Sequence, residues 1–272
     1  MPLTFKNAPL TELIAELRWN QDGVPPPPAP GPGMQQIAFG MYDSAAAEEF
    51  FMRFGAQIHG HGFSSAERIV PPGFPTAPFQ VIYRYKKAAA SKEILQVGPG
   101  VFSANALKPY QSWHVFRPAV AIGIDALLEA RAEGDKATAF SAVSLRYINA
   151  FGPELSAGRD SATFMRDVLG IKTEIPPAVM AYAGDGAVPD PTLNMSLALK
   201  DGQKFRMMVG DGVVAGTHSL ILDMTVSTFE PTAPTREAAL TILDSARNKL
   251  HEIFLHLTKG IEDLMEPVNE DA

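Results

Sequence analysis

Cysteine is absent from all 272 residues. That excludes disulfides, thiol nucleophiles and thiolate-bound zinc, and it fits a reducing compartment. Long apolar runs are missing too. No stretch approaches the roughly 20 apolar residues needed to cross a bilayer, and Met1 to Asn7 has neither the basic start nor the apolar core of a signal peptide. The expected location is the cytoplasm, with no membrane partner. A basic excess is also lacking: the formal net charge is −7. Nonspecific nucleic-acid binding draws on many phosphate contacts, so an acidic chain without a concentrated basic face is a poor candidate for it. The one local basic stretch, Arg84-Tyr85-Lys86-Lys87 with Lys92, is only a hairpin's worth of charge.

What is present points to a globular protein. A chain that is 46% hydrophobic and 19% charged over this length can bury a sizeable core. Charge is shared unevenly: residues 1–136 hold 12 basic and 12 acidic side chains, so the whole acidic excess belongs to the second half. An acidic surface suits a protein partner or a basic one.

Two short segments recur. Gln96-Val97-Gly98-Pro99-Gly100-Val101 resembles Met208-Val209-Gly210-Asp211-Gly212-Val213, and Leu17-Arg18-Trp19 resembles Leu145-Arg146-Tyr147. The two offsets differ, as an insertion in the first copy would produce, and the proline-rich stretch 23–33 with Pro25-Pro26-Pro27-Pro28 is the natural place for it. The expected organisation is therefore a first repeat at 1–136, a second at 137–266 and an acidic tail at 267–272. Both Val-Gly-x-Gly-Val segments read as hairpin turns, Pro-Gly in one and Asp-Gly in the other.

Periodicity fills in each copy. Leu10 to Asn20 alternates as a strand. Ala47, Phe50, Phe51, Phe54 and Ile58 lie at helical spacing, and strands are expected at Phe79 to Lys86, Ile94 to Gly98 and Val101 to Ala106. A helix from Ser112 to Glu133 closes the first copy, its regular part expected to start late because of Pro118. The second copy has a strand at Ala142 to Phe151, a short helix capped by Asp160 or Ser161, and strands at Leu193 to Leu199, Phe205 to Gly210 and Val213 to Val226. One long helix, Thr235 to Met265, ends it. This is an α+β fold of duplicated strand, helix, antiparallel strands and helix units, helix-grip or saddle-like, with the long C-terminal helix packed on the sheet.

Several blocks carry a family likeness: Asn7-Ala8-Pro9-Leu10-Thr11-Glu12, Leu95-Gln96-Val97-Gly98-Pro99, Tyr110-Gln111-Ser112-Trp113, Leu145-Arg146-Tyr147-Ile148-Asn149, Leu220-Ile221-Leu222-Asp223 and Leu250-His251-Glu252-Ile253-Phe254. In this order they resemble a sporadically distributed family of uncharacterised bacterial proteins of about this length. The resemblance implies no catalytic residue and no cofactor. Its patchy distribution implies an accessory role, such as phage defence or toxin neutralisation.

No catalytic constellation is complete. His59-Gly60-His61 lacks the further ligands of a metal site. His251 and His256 are spaced to turn away from each other, and with Glu252 they read as a solvated helix face. The glycine-flanked turns lack the Lys-Ser/Thr of a phosphate loop, there is no Gly-x-Ser-x-Gly elbow, and His114 and Asp223 have no nucleophile to serve. The candidate binding residues are Arg18, Arg146, Tyr147, Asn149, Tyr110 and Trp113. Arg18 and Arg146 are expected to flank a central groove. Tyr147 and Asn149 should face away from Arg146 on the same strand, and Tyr110 and Trp113 sit where a helix begins. The expected function is a noncatalytic binding or assembly protein with a protein partner, able to form a homodimer through its sheet edges. The alternative is a ligand-binding domain or enzyme with a site between helix and sheet, built from Arg146, Asn149 and His114 or Asp223.

Overall fold

Apolar residues at every second position give this chain its strands, and a computed structural model describes residues 4–20, 44–184, 186 and 191–268. The Pro25–Pro28 segment and residues 269–272 of the acidic tail lie outside the described residues. In chain order the elements are β1 (Thr4–Phe5), β2 (Leu10–Trp19), α1 (Ser44–His59), β3 (Ser65–Arg68), β4 (Tyr83–Lys86), β5 (Glu93–Gly98), β6 (Val101–Leu107) and α2 (Trp113–Ala130). They continue with β7 (Phe140–Phe151), α3 (Pro153–Ser156), α4 (Ser161–Asp167), α5 (Pro177–Met180), β8 (Leu193–Ala198), β9 (Gln203–Val214), β10 (Thr217–Thr228), α6 (Arg236–Thr258), α7 (Glu262–Met265) and β11 (Pro267–Val268).

Nine strands form one antiparallel sheet in the order β3-β4-β5-β6-β2-β7-β10-β9-β8, and β1 pairs separately with β11. The chain is thus mixed α and β, with a large antiparallel sheet and a long helix near its C-terminus. In β2, Leu13, Ala15, Leu17 and Trp19 are buried, as are Val143, Leu145, Tyr147, Asn149 and Phe151 in β7 and Leu220, Leu222, Met224 and Val226 in β10. Every second residue therefore meets the helices. From α1, Phe54 packs on Phe102 and Tyr85, with ring centroids 5.9 and 5.4 Å away. From α6, Leu243, Ala246 and Leu250 are fully buried at helical spacing. Among the described residues, no helix covers the other face of the central strands.

Capping side chains set the helix starts. Ser112 accepts from the Val115 amide, Asp160 from Thr163 and Thr235 from Ala238. The expectation that α2 begins late is corrected: it starts at Trp113, where the Ser112 hydroxyl caps it, and Pro118 lies inside the helix as its sixth residue. The single long helix expected to Met265 is also corrected. It ends at Thr258, whose hydroxyl donates to the Phe254 carbonyl, and a tight turn at Lys259–Ile261 separates it from α7.

One turn lies where expected and one does not. Gly98 pairs with Val101, so Pro99-Gly100 makes the β5–β6 turn, with Gly100 at φ 72° as a type II turn requires. The second segment, Gly210-Asp211-Gly212, is no turn. It runs inside β9, with Gly210 opposite Ile221 and Gly212 opposite Ser219. The chain reverses at Ala215-Gly216, where both residues have positive φ, 49° and 81°. A register that turned at Asp211 would break a continuous ladder from Gln203 to Val214, and that ladder outweighs the local preference of Asp-Gly. The expected strand at Phe79 to Lys86 shrinks to its last four residues, because Phe79 sits at φ 61°.

Candidate functional site

The face that lacks helices carries a groove of about 510 Å³ at the centre of the sheet. Strands β2, β7, β9 and β10 present Glu16, Arg18, Arg146, Lys204, Arg206 and Asp223 into it. Their positions follow from register. Glu16 lies opposite Ser144, Arg18 opposite Ala142, and Arg146 opposite Ile14, so the two arginines stand equally far on either side of the Glu16–Ser144 pair. At about 3.4 Å per residue they are about 13 Å apart along the strands.

The two arginines are held differently. Arg146 makes a two-pronged pair with Asp223, its Nε donating to Oδ1 at 2.8 Å and its Nη2 to Oδ2. That bonding raises its pKa above the ordinary arginine value against the opposing effect of burial. Arg18 donates from Nε to Glu16 at 2.7 Å and lies over the Phe79 ring, 5.2 Å from its centroid. Among the described residues, Arg206 bonds only neutral groups, Asn194 and the Met208 sulfur, and Lys204 has no ion-pair partner. Four cations thus line the groove against two carboxylates, in a chain of net charge −7.

Tyr147, Asn149, Tyr110 and Trp113 are brought together elsewhere. They line a cleft on the opposite face of the sheet, between α6, the start of α2 and the N-terminal segment, with Arg247 and His251 on its α6 wall. The cleft's frame is an ion-pair clamp. Asp244 of α6 accepts from Trp113 Nε1 at 2.7 Å and from Arg117 Nε and Nη2, both at 2.9 Å, tying α2 to α6. Asn149 donates to the Leu222 carbonyl at 3.3 Å. Burial pushes the Tyr147 phenol up to about 12 against the opposing pull of Arg247, and burial also raises Tyr110. His251 is pushed below its ordinary value by burial, then by the Arg247 charge.

Three expectations are corrected here. Arg146 and Asn149 cannot share one site, because residues three apart on a strand point to opposite faces. Asp223 belongs with Arg146 on the open face, and His114 is exposed on α2 and lines neither hollow. His251 is not on a solvated face: its Nε2 is buried in the cleft, while His256 is exposed. Arg247, Lys204 and Arg206 escaped the sequence reading. The spacing of Asp244, Arg247 and His251, three and then four residues apart on one helix face, was the available signal.

Among the described residues there is no cluster of three or more His, Asp or Glu side chains that could hold a metal, and no helix long and apolar enough to cross a membrane. The chain matches no model of a known protein family, no curated protein and no solved structure.

Proposed function

We propose that this is a noncatalytic binding protein whose open sheet face receives an acidic segment of a partner protein. The observation that carries the reading is the groove's charge: Arg18, Arg146, Lys204 and Arg206 against Glu16 and Asp223, on a chain that is otherwise acidic. Lys204 and Arg206, with no carboxylate partner among the described residues, are the cations ready for one. The bacterial family resemblance supports placing this binding in an accessory module of phage defence or toxin neutralisation.

We read the fold as two related halves. Outward from the β2–β7 junction, each half runs from its first strand through its last strand to the earlier ones, β2-β6-β5-β4 on one side and β7-β10-β9-β8 on the other, with β3 as one further edge strand beyond β4. The equal placing of Arg18 and Arg146 about Glu16–Ser144 supports the same reading. The free edge at β8, where Met195 and Leu197 are exposed, is the surface for a second copy of the chain.

The test is purification of the wild type and of Lys204→Glu/Arg206→Glu from the native host at low salt, with bound material identified by mass spectrometry and nucleic-acid staining. The wild type should retain a protein with an acidic segment that the double variant loses, and added salt should weaken the complex. Equal retention by both, or capture of nucleic acid alone, would overturn the reading.

A further inference from the structure

The cleft between α6 and β7 holds two buried nitrogens that no described residue bonds. Among the described residues, Arg247 Nε and His251 Nε2 are both shielded from solvent without a hydrogen-bond partner. Leaving such groups unpaired is unfavourable, and a native fold keeps few of them without a reason. The neighbouring carboxylate does not answer the need, because both oxygens of Asp244 are engaged by Arg117 and Trp113. Among the described residues, no Asp or Glu lines the cleft. Its other walls are largely rings: Phe5, Tyr110, Trp113, Tyr147 and Phe254.

Size narrows the occupant. The free volume, about 80 Å³, is smaller than the roughly 150 Å³ that encloses a benzene ring, so the cleft takes the head of a small molecule whose remainder lies at its open mouth, and it excludes a nucleotide or a folded segment. The cleft is also anchored on three sides. Asn149 is fixed to the Leu222 carbonyl, the Asp244 clamp holds the start of α2, and the N-terminal segment is strapped over by the Lys6 and Asn7 amides bonding the Glu266 and Met265 carbonyls at 3.0 Å. A guanidinium beside an imidazole, at the end of an aromatic slot without carboxylates, is suited to a planar acid.

We propose that this cleft binds a small organic acid, its carboxylate accepting from Arg247 and His251 and its flat apolar body lying among Phe5, Tyr110, Trp113 and Phe254. The site is separate from the groove on the opposite face, and neither reading depends on the other. Tyr147, whose phenol feels the Arg247 charge, lines the cleft beside the guanidinium, whose Nη1 donates to Asn248 Oδ1 at 3.2 Å.

Benzoate is the probe, with benzamide as its neutral counterpart, followed by saturation-transfer NMR and by thermal melting of the full chain. Benzoate should bind saturably and raise the melting temperature, since a ligand of the folded state alone must do so. Benzamide and the Arg247→Met variant should each weaken binding by about tenfold or more, the loss of one charge-assisted bond. The groove variant Lys204→Glu/Arg206→Glu should bind benzoate as the wild type does. If Arg247→Met does not fold, His251→Gln replaces it, and in the wild type the His251 ring nitrogen resonances should move on titration. No saturable benzoate binding, equal affinity for benzamide, or a loss confined to the groove variant would each overturn the proposal.

Discussion

The reversal between β9 and β10 offers the sharpest test of the fold. Ala215 and Gly216 both have positive φ, 49° and 81°, which is the pattern of a type I′ turn. Gly216 adopts this at no steric cost, whereas an L-residue with a Cβ costs roughly 1–2 kcal/mol in the left-handed region. Asparagine tolerates that region better than alanine, so Ala215→Asn should stabilise the protein by about 0.5–1 kcal/mol. Ala215→Gly relieves the same strain but loosens the unfolded chain by a similar amount, so it should be close to neutral. Ala215→Val, β-branched, should destabilise by about 1 kcal/mol or more. Urea unfolding with an unchanged m-value is the assay; a gain of 1 kcal/mol corresponds to a rise in Tm of about 2–4 °C for a chain of roughly this size. An Ala215→Asn variant less stable than the wild type would refute a turn at Ala215-Gly216. That would be the outcome if the turn lay at Asp211-Gly212, because residue 215 would then sit inside a strand, where asparagine is unfavourable.

Three further outcomes follow from individual contacts. A Cβ at Gly98 would lie 1.8 Å from the Gln80 carbonyl oxygen, so Gly98→Ala should cost more than about 3 kcal/mol or leave the protein insoluble, as measured by soluble yield and chemical denaturation. A double-mutant cycle on Arg146→Met and Asp223→Asn should give a coupling of about 1 kcal/mol or less, shrinking with added salt, because the Arg146 side chain is 44% exposed. Burial holds His251 below the ordinary imidazole value of about 6.5, so its unfolded form takes up a proton first. Its contribution to stability is therefore complete above about pH 6.5 and is lost as pH falls through the lower folded value. Unfolding free energies measured between pH 7.5 and 5.5 should fall less steeply in His251→Gln than in the wild type; equal slopes would contradict the burial argument.

Local chemistry made much of the fold legible before any tertiary contact was known. Alternation located β2 and β7, helical spacing located α1 and α6, and Ser112 and Asp160 marked two helix starts that their side chains do cap. Pro99-Gly100 carried its turn because proline presets one φ and glycine accepts the other. β3 escaped because Ser65–Arg68 is a polar edge strand with no apolar face to reveal it. The candidate residues were partly legible as well. Arg18 and Arg146 stood out as charges within apolar strands, while Arg247 and His251 passed for the outer face of an amphipathic helix.

The sequence by itself determined the mixture of strands and amphipathic helices and the opposite facing of Arg146 and Asn149, because those follow from periods of two and 3.6 residues along the chain. Tertiary structure alone decided that Asp-Gly continues a strand while Ala-Gly turns, because ladder register couples residues far apart in sequence. It alone also decided that four cations from β2, β7 and β9 share one groove, and that Arg247 and His251 are buried rather than solvated. No local pattern encodes what lies across a sheet or beneath a helix. That depends on which strands become neighbours, here β2 beside β7 and β7 beside β10.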